Sequence, residues 1–566
     1  MESIAQQLQR AFRSAIKEAT GLDADPLLGV AQNEKFGDYQ ANAAMSLAKT
    51  AGLNPRAIAE KIKAKLNLGP IAQEVSIAGP GFINVRLAPT WLAAQLGEAV
   101  ADPRLGIDPV QSPETVVVDY SGPNVAKEMH VGHLRSTIIG DSISRVLEFQ
   151  GHKVIRQNHI GDWGTQFGML IALLKDEGYG ASGVDLEAFY RRAKAKFDAE
   201  PQFQNEARAT VVRLQAGQTA ELAAWSTIVN DSRFHFEQIY DRLGVLLTFD
   251  DERSESFYNS KLADVVAELK SKQIAVESDG AVVVFTDRSE TPLIIEKSDG
   301  GFLYGTTDLA ALRFRITELH ANRIIYTHDS RQALHFAQVF AAARKAGWAE
   351  HVILEYAPFG TMLGADGRPF KSRSGDTIKL KSLLDEAEER ALAVVTAKSP
   401  ELPETQRNAI AHSVGIGAIK YADLSKDRIS DYLFSWESML ALDGNTAPYL
   451  QYAFARIASI FRRGETTLEA SVHARLILES PFELALAKQI LRLGDVIELV
   501  GRELKPHHLA AYLYELASRF SGFFDNCPVL KSDEPLRSSR LALCAATGRA
   551  LGIGLDLLGI EHPEQM

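Results

Sequence analysis

The sequence reads as an α/β protein. A doubly wound parallel nucleotide-binding sheet with an insertion is preceded by an N-terminal α+β unit and followed by a C-terminal all-helical unit. Three observations carry this reading. The β-branched run Val116-Val117-Val118, a loop, a helical pattern from about Met129 to Phe149 and the strand Lys153-Val154-Ile155-Arg156 follow in the order of a parallel βαβ unit. Two later apolar runs, Ile324-Ile325-Tyr326 and His351 to Tyr356, flank a helical stretch containing Leu334, Val339 and Phe340, as the second half of such a sheet requires. From about residue 378 β-branched runs give way to helical spacing rich in Ala, Leu and Arg, ending in Gly552-Ile553-Gly554-Leu555-Asp556-Leu557-Leu558.

Taken in order, residues 1–108 form the first unit. Ile4, Leu8, Phe12 and Ile16 recur every four residues, the stripe of a helix with one buried face. Gly37-Asp38-Tyr39 predicts a turn, and Val75-Ser76-Ile77 with Phe82-Ile83-Asn84-Val85 predicts two strands around Gly79-Pro80-Gly81. Breakers in Ala101 to Pro109 mark a linker. Residues 109–377 form the nucleotide-binding unit. Its insertion, at about 170–300, mixes charged helical patterns with the strand-like Ala281 to Phe285 and Leu293-Ile294-Ile295. Residues 378–447 read as a helical connector and 448–566 as a second helical unit.

Composition narrows the function. A chain of 566 residues has room for about three or four domains. With 46% apolar and 23% charged side chains it is neither disordered nor fibrous. No apolar run approaches the roughly 20 residues of a membrane helix, and Met1 to Gln7 lacks the basic and apolar regions of a secretory signal, so a cytoplasmic protein is expected. Cys527 and Cys544 are the only cysteines, which excludes a disulfide framework and a Cys-x-x-Cys zinc site. Lys+Arg 61 against Asp+Glu 72 leaves −11, the wrong sign for coating nucleic acid by counterion release alone. Basic clusters at Arg191 to Lys196, Lys371-Ser372-Arg373 and Arg462-Arg463 permit a positive stripe, although such runs are more often solvated helix faces.

Chemistry concentrates in Ser121-Gly122-Pro123-Asn124-Val125-Ala126-Lys127-Glu128-Met129-His130-Val131-Gly132-His133, directly after the first strand of the βαβ unit. Histidines three apart share a helix face. Gly132 between them removes a side chain, so that a base or phosphate can approach the backbone. The free N–H groups and partial positive charge of a helix start favour an anionic ligand, and imidazole N–H donors there can stabilise charge building on a phosphoryl group. A His-x-x-His pair taken alone also fits two ordinary histidines or part of a zinc site, although no third ligand stands at metal spacing.

This stretch resembles the His-Ile-Gly-His element of class I aminoacyl-tRNA synthetases, with valine for isoleucine. Together with Asn158-His159-Ile160-Gly161-Asp162-Trp163-Gly164-Thr165-Gln166-Phe167-Gly168 and Gly444-Asn445-Thr446-Ala447-Pro448-Tyr449-Leu450-Gln451-Tyr452, it resembles the arginyl-tRNA synthetase family over the whole chain. The resemblance implies ATP-dependent activation of L-arginine to arginyl-adenylate and transfer to the 3′ end of tRNA(Arg). Magnesium is expected to travel with ATP without a dedicated protein metal cage. A monomer without membrane contact is expected, as is adenylate formation that requires bound tRNA.

Residue by residue, the resemblance implies catalytic roles for His130, His133, Lys127, Lys371 and Arg373. It places ATP against His130, Gly132, His133, Thr361, Met362 and Leu363. Arginine falls to Ser121, Asn124, Glu255, Tyr304, Asp308 and Gln332. Acidic partners suit a guanidinium, whose five N–H donors form a rigid fork, and Tyr304 offers a face for stacking. Lysine lacks that fork and would leave an acceptor unpaired. Phe82 and Asn84 are implied at the tRNA elbow, Tyr452 and Arg456 in the anticodon-binding unit. Two departures stand out. The family's usual Lys-Met-Ser-Lys-Ser is Phe370-Lys371-Ser372-Arg373-Ser374 here, with Lys127 implied to compensate, and the Asp-Ala-Leu-Arg tetrad is replaced by Leu541-Ala542-Leu543-Cys544.

Overall fold

The computed structural model describes residues 1–33, 35–52, 54–177, 186–298, 300–370 and 378–566. Helix α1 (Ile4–Thr20) buries Ile4, Leu8, Phe12 and Ile16, and a Ser3–Gln6 capping box starts it. Strands β1 (Leu28–Val30) and β2 (Tyr39–Ala41), helices α2 (Ala43–Ala51) and α3 (Pro55–Lys65), strands β3 (Ala72–Ala78) and β4 (Phe82–Leu87) and helix α4 (Pro89–Ala101) complete the first unit. Its four strands form an antiparallel sheet in the order β1-β2-β4-β3.

The nucleotide fold starts with β5 (Thr115–Asp119), α5 (Val131–Phe149) and β6 (Lys153–Gln157). Helices α6 (Thr165–Glu177), α7 (Leu186–Ala199), α8 (Pro201–Gln215) and α9 (Thr219–Leu243) follow, then α10 (Leu262–Ser271). Next come the antiparallel strands β7 (Ala275–Ser278), β8 (Ala281–Val284) and β9 (Leu293–Glu296). Helix α11 (Tyr304–Thr317) returns the chain to β10 (Arg323–Tyr326), α12 (Ala333–Lys345), β11 (Ile353–Tyr356) and the short β12 (Met362–Leu363). The main sheet is parallel in the order β11-β10-β5-β6. Chain direction across the sheet therefore reverses between β5 and β10, and the crevice beyond their carboxyl ends is where such folds bind ligands. Both faces are covered. Val116 and Val118 join the core that holds α5, while Val117 between them packs with Leu262, Leu309 and Val339 of α10, α11 and α12.

The helical remainder comprises α13 (Leu380–Lys398), α14 (Glu404–Leu424), β13 (Tyr432–Leu433), α15 (Trp436–Met439), α16 (Ala447–Arg463), α17 (Leu468–Ser471), α18 (Pro481–Leu491), α19 (Leu493–Glu503), α20 (His507–Asn526) and α21 (Leu536–Leu557). It is joined to the nucleotide fold by a parallel β12–β13 pairing and by α5, which touches α13, α14, α19 and α21. Where α5 passes Tyr120, a Cβ on Gly140 would collide with the tyrosine ring, so glycine permits the approach. No described helix is long and apolar enough to cross a membrane.

One buried ion pair ties α5 to the connector. Arg135 lies 2.9 Å from Asp423 of α14, with both side chains almost fully buried. Arg135 also donates to the carbonyls of Ser430 and Arg428, each at 3.2 Å. Arg428 in turn donates to Leu504 O at 2.8 Å and Pro358 O at 2.6 Å, clamping the α19–α20 junction to the loop before β12. Replacing Arg135 with Met strands a buried carboxylate, so Arg135→Met is expected to cost about 3–5 kcal/mol in urea unfolding. Adding Asp423→Leu is expected to recover most of that loss; a single variant that unfolds at the wild-type midpoint would contradict this account.

Candidate active site

After β5 the chain makes a turn in which Ser121, Gly122 and Ala126 all have positive φ. Hydrogen bonds from every side stabilise this conformation. Ser121 N–H donates to Ser136 Oγ at 2.9 Å, Thr137 Oγ1 donates to Ser121 Oγ at 2.9 Å, and Ser121 Oγ meets Tyr240 OH at 2.8 Å. Gly122 N–H donates to Asn158 Oδ1, Val125 N–H to Gly161 O and Gly161 N–H to Pro123 O, stitching the loop to the one after β6. A Cβ on Gly161 would run into Asn124 Oδ1, so this glycine lets the two loops meet.

The turn delivers His130 to the N-cap of α5. Its Nδ1 accepts from Gly132 N–H at 3.0 Å, and His133 Nδ1 accepts from His130 N–H at 3.1 Å, with the rings 4.0 Å apart. Each Nδ1 being an acceptor, both rings are neutral and carry their proton on Nε2. Burial, then His130 and Lys127, lower the His133 pKa to about 3; burial, Lys127 and Arg331 lower that of His130. Two imidazole N–H donors therefore stand at an open helix start with positive charge beside them. Gly132 has a use besides the one its position between the histidines predicts. A Cβ there would lie 2.8 Å from His130 Cε1, so the glycine makes room for the folded-back histidine ring itself.

Lys127 is exposed, its Nζ 5.0 Å from the Tyr190 ring centroid. Thr361 N–H donates to Asp431 at 2.5 Å, and Met362 and Leu363 form β12. Lys371 and Arg373 lie outside the described residues.

Carboxylates gather on the α11 side of the crevice. Asp308 Oδ2 is 2.5 Å from His335 Nε2, and its Oδ1 is 4.0 Å from His159 Nε2. Gly122 adjoins both His159 O and the His328 ring, which brings this group to the same strand ends as the histidine helix. Asp162 accepts from Ser256 N–H at 2.9 Å and Ser256 Oγ at 2.6 Å. Burial, then the carboxylates of Asp162 and Asp308, push Glu255 up to about 7 against a hydrogen bond from the Trp163 backbone. Tyr304 opens α11 and is 65% exposed, with its ring 4.8 Å from that of His335. Asn124 and Gln332 are exposed on the two flanking loops. Below them, Asp119 at the end of β5 pairs with the fully buried Arg315 of α11 at 2.7 Å. Burial opposes ionisation there, but Arg315 and His328 overcome it and hold Asp119 below the usual carboxylate range.

Two expected ligands sit differently from their sequence reading. Ser121 is 5% exposed and its hydroxyl is engaged by Tyr240 and Thr137, so it shapes the loop from within. Asn84 is 1% exposed although it shares the strand face of the partly exposed Phe82, opposite the core residues Ile83 and Val85; it is paired with Gln40 of β2, which donates to its Oδ1 at 2.8 Å, so it offers no base-edge contact at the surface. Tyr452 is exposed on α16, with the Arg456 guanidinium 5.1 Å from its ring and 5.1 Å from that of Phe524. His159, Asp162, Arg331 and His335 were not singled out from the sequence. The first two fall inside the Asn158 to Gly168 run, but nothing in local spacing marks Arg331 or His335.

Family profiles match in sequence order: "Arginyl tRNA synthetase N terminal domain" over residues 6–87, "tRNA synthetases class I (R), catalytic domain" over 97–436 and "DALR anticodon binding domain" over 450–566. The chain is 51% identical to the arginine–tRNA ligase of Synechococcus elongatus over 581 residues, covering 99% of each protein. The chain belongs to the arginyl-tRNA synthetases. Arginyl-tRNA synthetase structures from Plasmodium falciparum (31% identical, TM-score 0.88) and Thermus thermophilus (27% identical, TM-score 0.83) match it over the full length of both chains. This member of the family keeps the anticodon-binding fold without the Asp-Ala-Leu-Arg tetrad. Leu541, Ala542, Leu543 and Cys544 are all buried in α21, where they serve helix packing.

The neutral imidazoles yield a measurable expectation. Ring ¹⁵N shifts of His133 should report the Nε2–H tautomer from pH 8 down to pH 5, where an ordinary histidine of pKa about 6.5 is mostly protonated. Because the unfolded chain takes up this proton below about 6.5 and the folded one only near 3, stability should fall with pH across that window. An imidazolium signature for His133 at pH 6 would overturn the assignment.

Proposed function

We propose that the two sides of the crevice divide the ligase reaction between them. As an arginyl-tRNA synthetase the chain is a class I ligase that uses ATP. An arginine carboxylate oxygen attacks the α-phosphate of MgATP and pyrophosphate leaves. The terminal ribose hydroxyl of tRNA(Arg) then attacks the acyl carbon of the adenylate and AMP leaves. His130 and His133 donate Nε2–H to the phosphoryl group as its charge grows, and being neutral they do so without titrating near pH 7. Lys127, Lys371 and Arg373 neutralise the departing pyrophosphate. Gly132 and the Thr361–Leu363 strand border the nucleotide.

Glu255 and Asp308 take the guanidinium, Tyr304 covers it, and Asn124 and Gln332 hold the α-amino and carboxylate end. Phe82 meets the tRNA elbow, and Tyr452 with Arg456 forms a stacking platform in the anticodon-binding unit. The corresponding division is 1–108 for the elbow, 109–377 for catalysis, 378–447 for the connector and 448–566 for the anticodon. The enzyme acts in the cytoplasm as a monomer and forms adenylate only with tRNA bound; equal pyrophosphate exchange without tRNA would refute that last point.

A single observation supports the reading. The imidazole-capped start of α5 and the carboxylate group of α11 border the same strand ends, one suited to phosphate and the other to a cation. ATP–pyrophosphate exchange with arginine, lysine and glutamine, in the presence of tRNA, tests it. Asp308→Asn is expected to raise the arginine KM about a hundredfold, as losing a hydrogen-bonded charge of roughly 3 kcal/mol implies. Glu255 is protonated below about pH 7 and anionic above it, so the arginine KM should fall as pH rises through 7. Glu255→Gln should remove that step. A wild-type KM in Asp308→Asn, or equal use of lysine, would sink the assignment.

A further inference from the structure

Asp308 is held more closely than its exposure demands. His335 Nε2 stands 2.5 Å from its Oδ2, and both side chains are about one-sixth exposed, at 16% and 17%. An ionised carboxylate can only accept, so this contact makes His335 the donor and puts its proton on Nε2. The imidazole itself is rigidly placed. It lies in the first turn of α12, 5.3 Å from the ring of Phe336. Phe336 is buried and packs on Tyr326, His328 and Tyr356 at ring distances of 4.8, 5.0 and 5.2 Å. The other carboxylate oxygen, Oδ1, stands 4.0 Å from His159 Nε2, and the Tyr304 ring lies 4.8 Å from the His335 imidazole.

We propose that His335 is a specificity-determining positioning residue, whose N–H fixes the rotation of the Asp308 carboxylate so that its remaining acceptor edge matches a planar guanidinium. The inference deepens the reading of Asp308 as the guanidinium acceptor and rests on it. A carboxylate free to rotate serves a point-charge ammonium as readily as a fork of parallel N–H groups. A pinned one presents a fixed pair of acceptors, which the fork meets in two parallel hydrogen bonds and lysine cannot. Pinning leaves capacity for the substrate, since two carboxylate oxygens offer about four lone-pair sites and His335 uses one. Holding the rotor in advance also removes an ordering cost at binding.

The test uses the full-length enzyme in tRNA-supported ATP–pyrophosphate exchange, with arginine and lysine as substrates. His335→Phe keeps a ring against Phe336 and Tyr304 but removes the donor; His335→Gln restores an N–H near the position of Nε2. The Phe variant is expected to raise the arginine KM about tenfold and to lower the arginine-to-lysine ratio of kcat/KM by a similar factor. kcat, the ATP KM and the melting temperature should stay near wild type. The Gln variant should return the arginine KM to within about threefold. If His335→Phe does not fold, His335→Asn, whose shorter amide cannot reach Oδ2, takes its place.

An unchanged arginine KM overturns the proposal, as does a parallel loss in kcat and ATP KM, or a Gln variant as impaired as Phe. Asp308→Asn run alongside separates two kinds of failure. A raised KM in Asp308→Asn with a normal His335→Phe removes only this inference, whereas a normal KM in both removes the assignment of Asp308 as well.

Discussion

Helix α5 must leave its first turn open to a ligand while its remaining length is buried among four other helices. Almost every residue from Leu134 to Leu147 is buried, polar ones included. A helix with no solvated face needs an internal partner for each polar side chain, since an unpaired one costs about 1–3 kcal/mol. The partners are supplied from all sides: Thr327 O for Ser136, Ser121 for Thr137, Leu246 N–H and Arg145 for Asp141, Leu557 O for Ser142 and Asp423 for Arg135. These bonds run to the β10 end, the β5 turn, the end of α9, the end of α21 and the connector. The placement of the His130–His133 pair is therefore a property of the whole chain.

The crevice separates two electrostatic tasks. On the α5 side, burial and neighbouring cations keep two imidazoles neutral, so the crevice gains two N–H donors without added positive charge. On the α11 side, burial first and then the carboxylates of Asp162 and Asp308 make Glu255 resist ionisation. Glu255 holds its proton up to about pH 7, above the usual glutamate value, so the folded chain binds more protons than the unfolded chain between about 4.5 and 7. Its contribution to stability is thus present below that window and is lost as pH rises through it.

Much of this was legible in one dimension. Parallel βαβ order follows from β-branched runs separated by helical spacing, and Val116, Val117 and Val118 divide between two covered faces as the two-residue period of a strand requires. The helix start near His130 was legible too, because helical spacing begins at about Met129 directly after a strand and a glycine- and proline-containing loop. One use of Gly132 was not: it depends on the His130 ring folding back over it, which only the rotamer reveals. Asn84 shows the opposite failure. Its residue type suits RNA, but its strand register turns it onto Gln40.

Local pattern was enough to set the βαβ order and the helical remainder, and the resemblance of the three quoted motifs was enough to set the family. Contacts between residues far apart in the chain settled the rest. Asp308 and His335 are 27 positions apart, Ser121 and Tyr240 are 119, and Arg135 meets a carbonyl 293 residues away. Hydrophobic periodicity carries no information about such pairs, because it reports which face of an element is buried and not what it is buried against. The protonation states depend on these pairs as well, since they follow from desolvation and neighbouring charge, and both exist only once the chain has closed on itself.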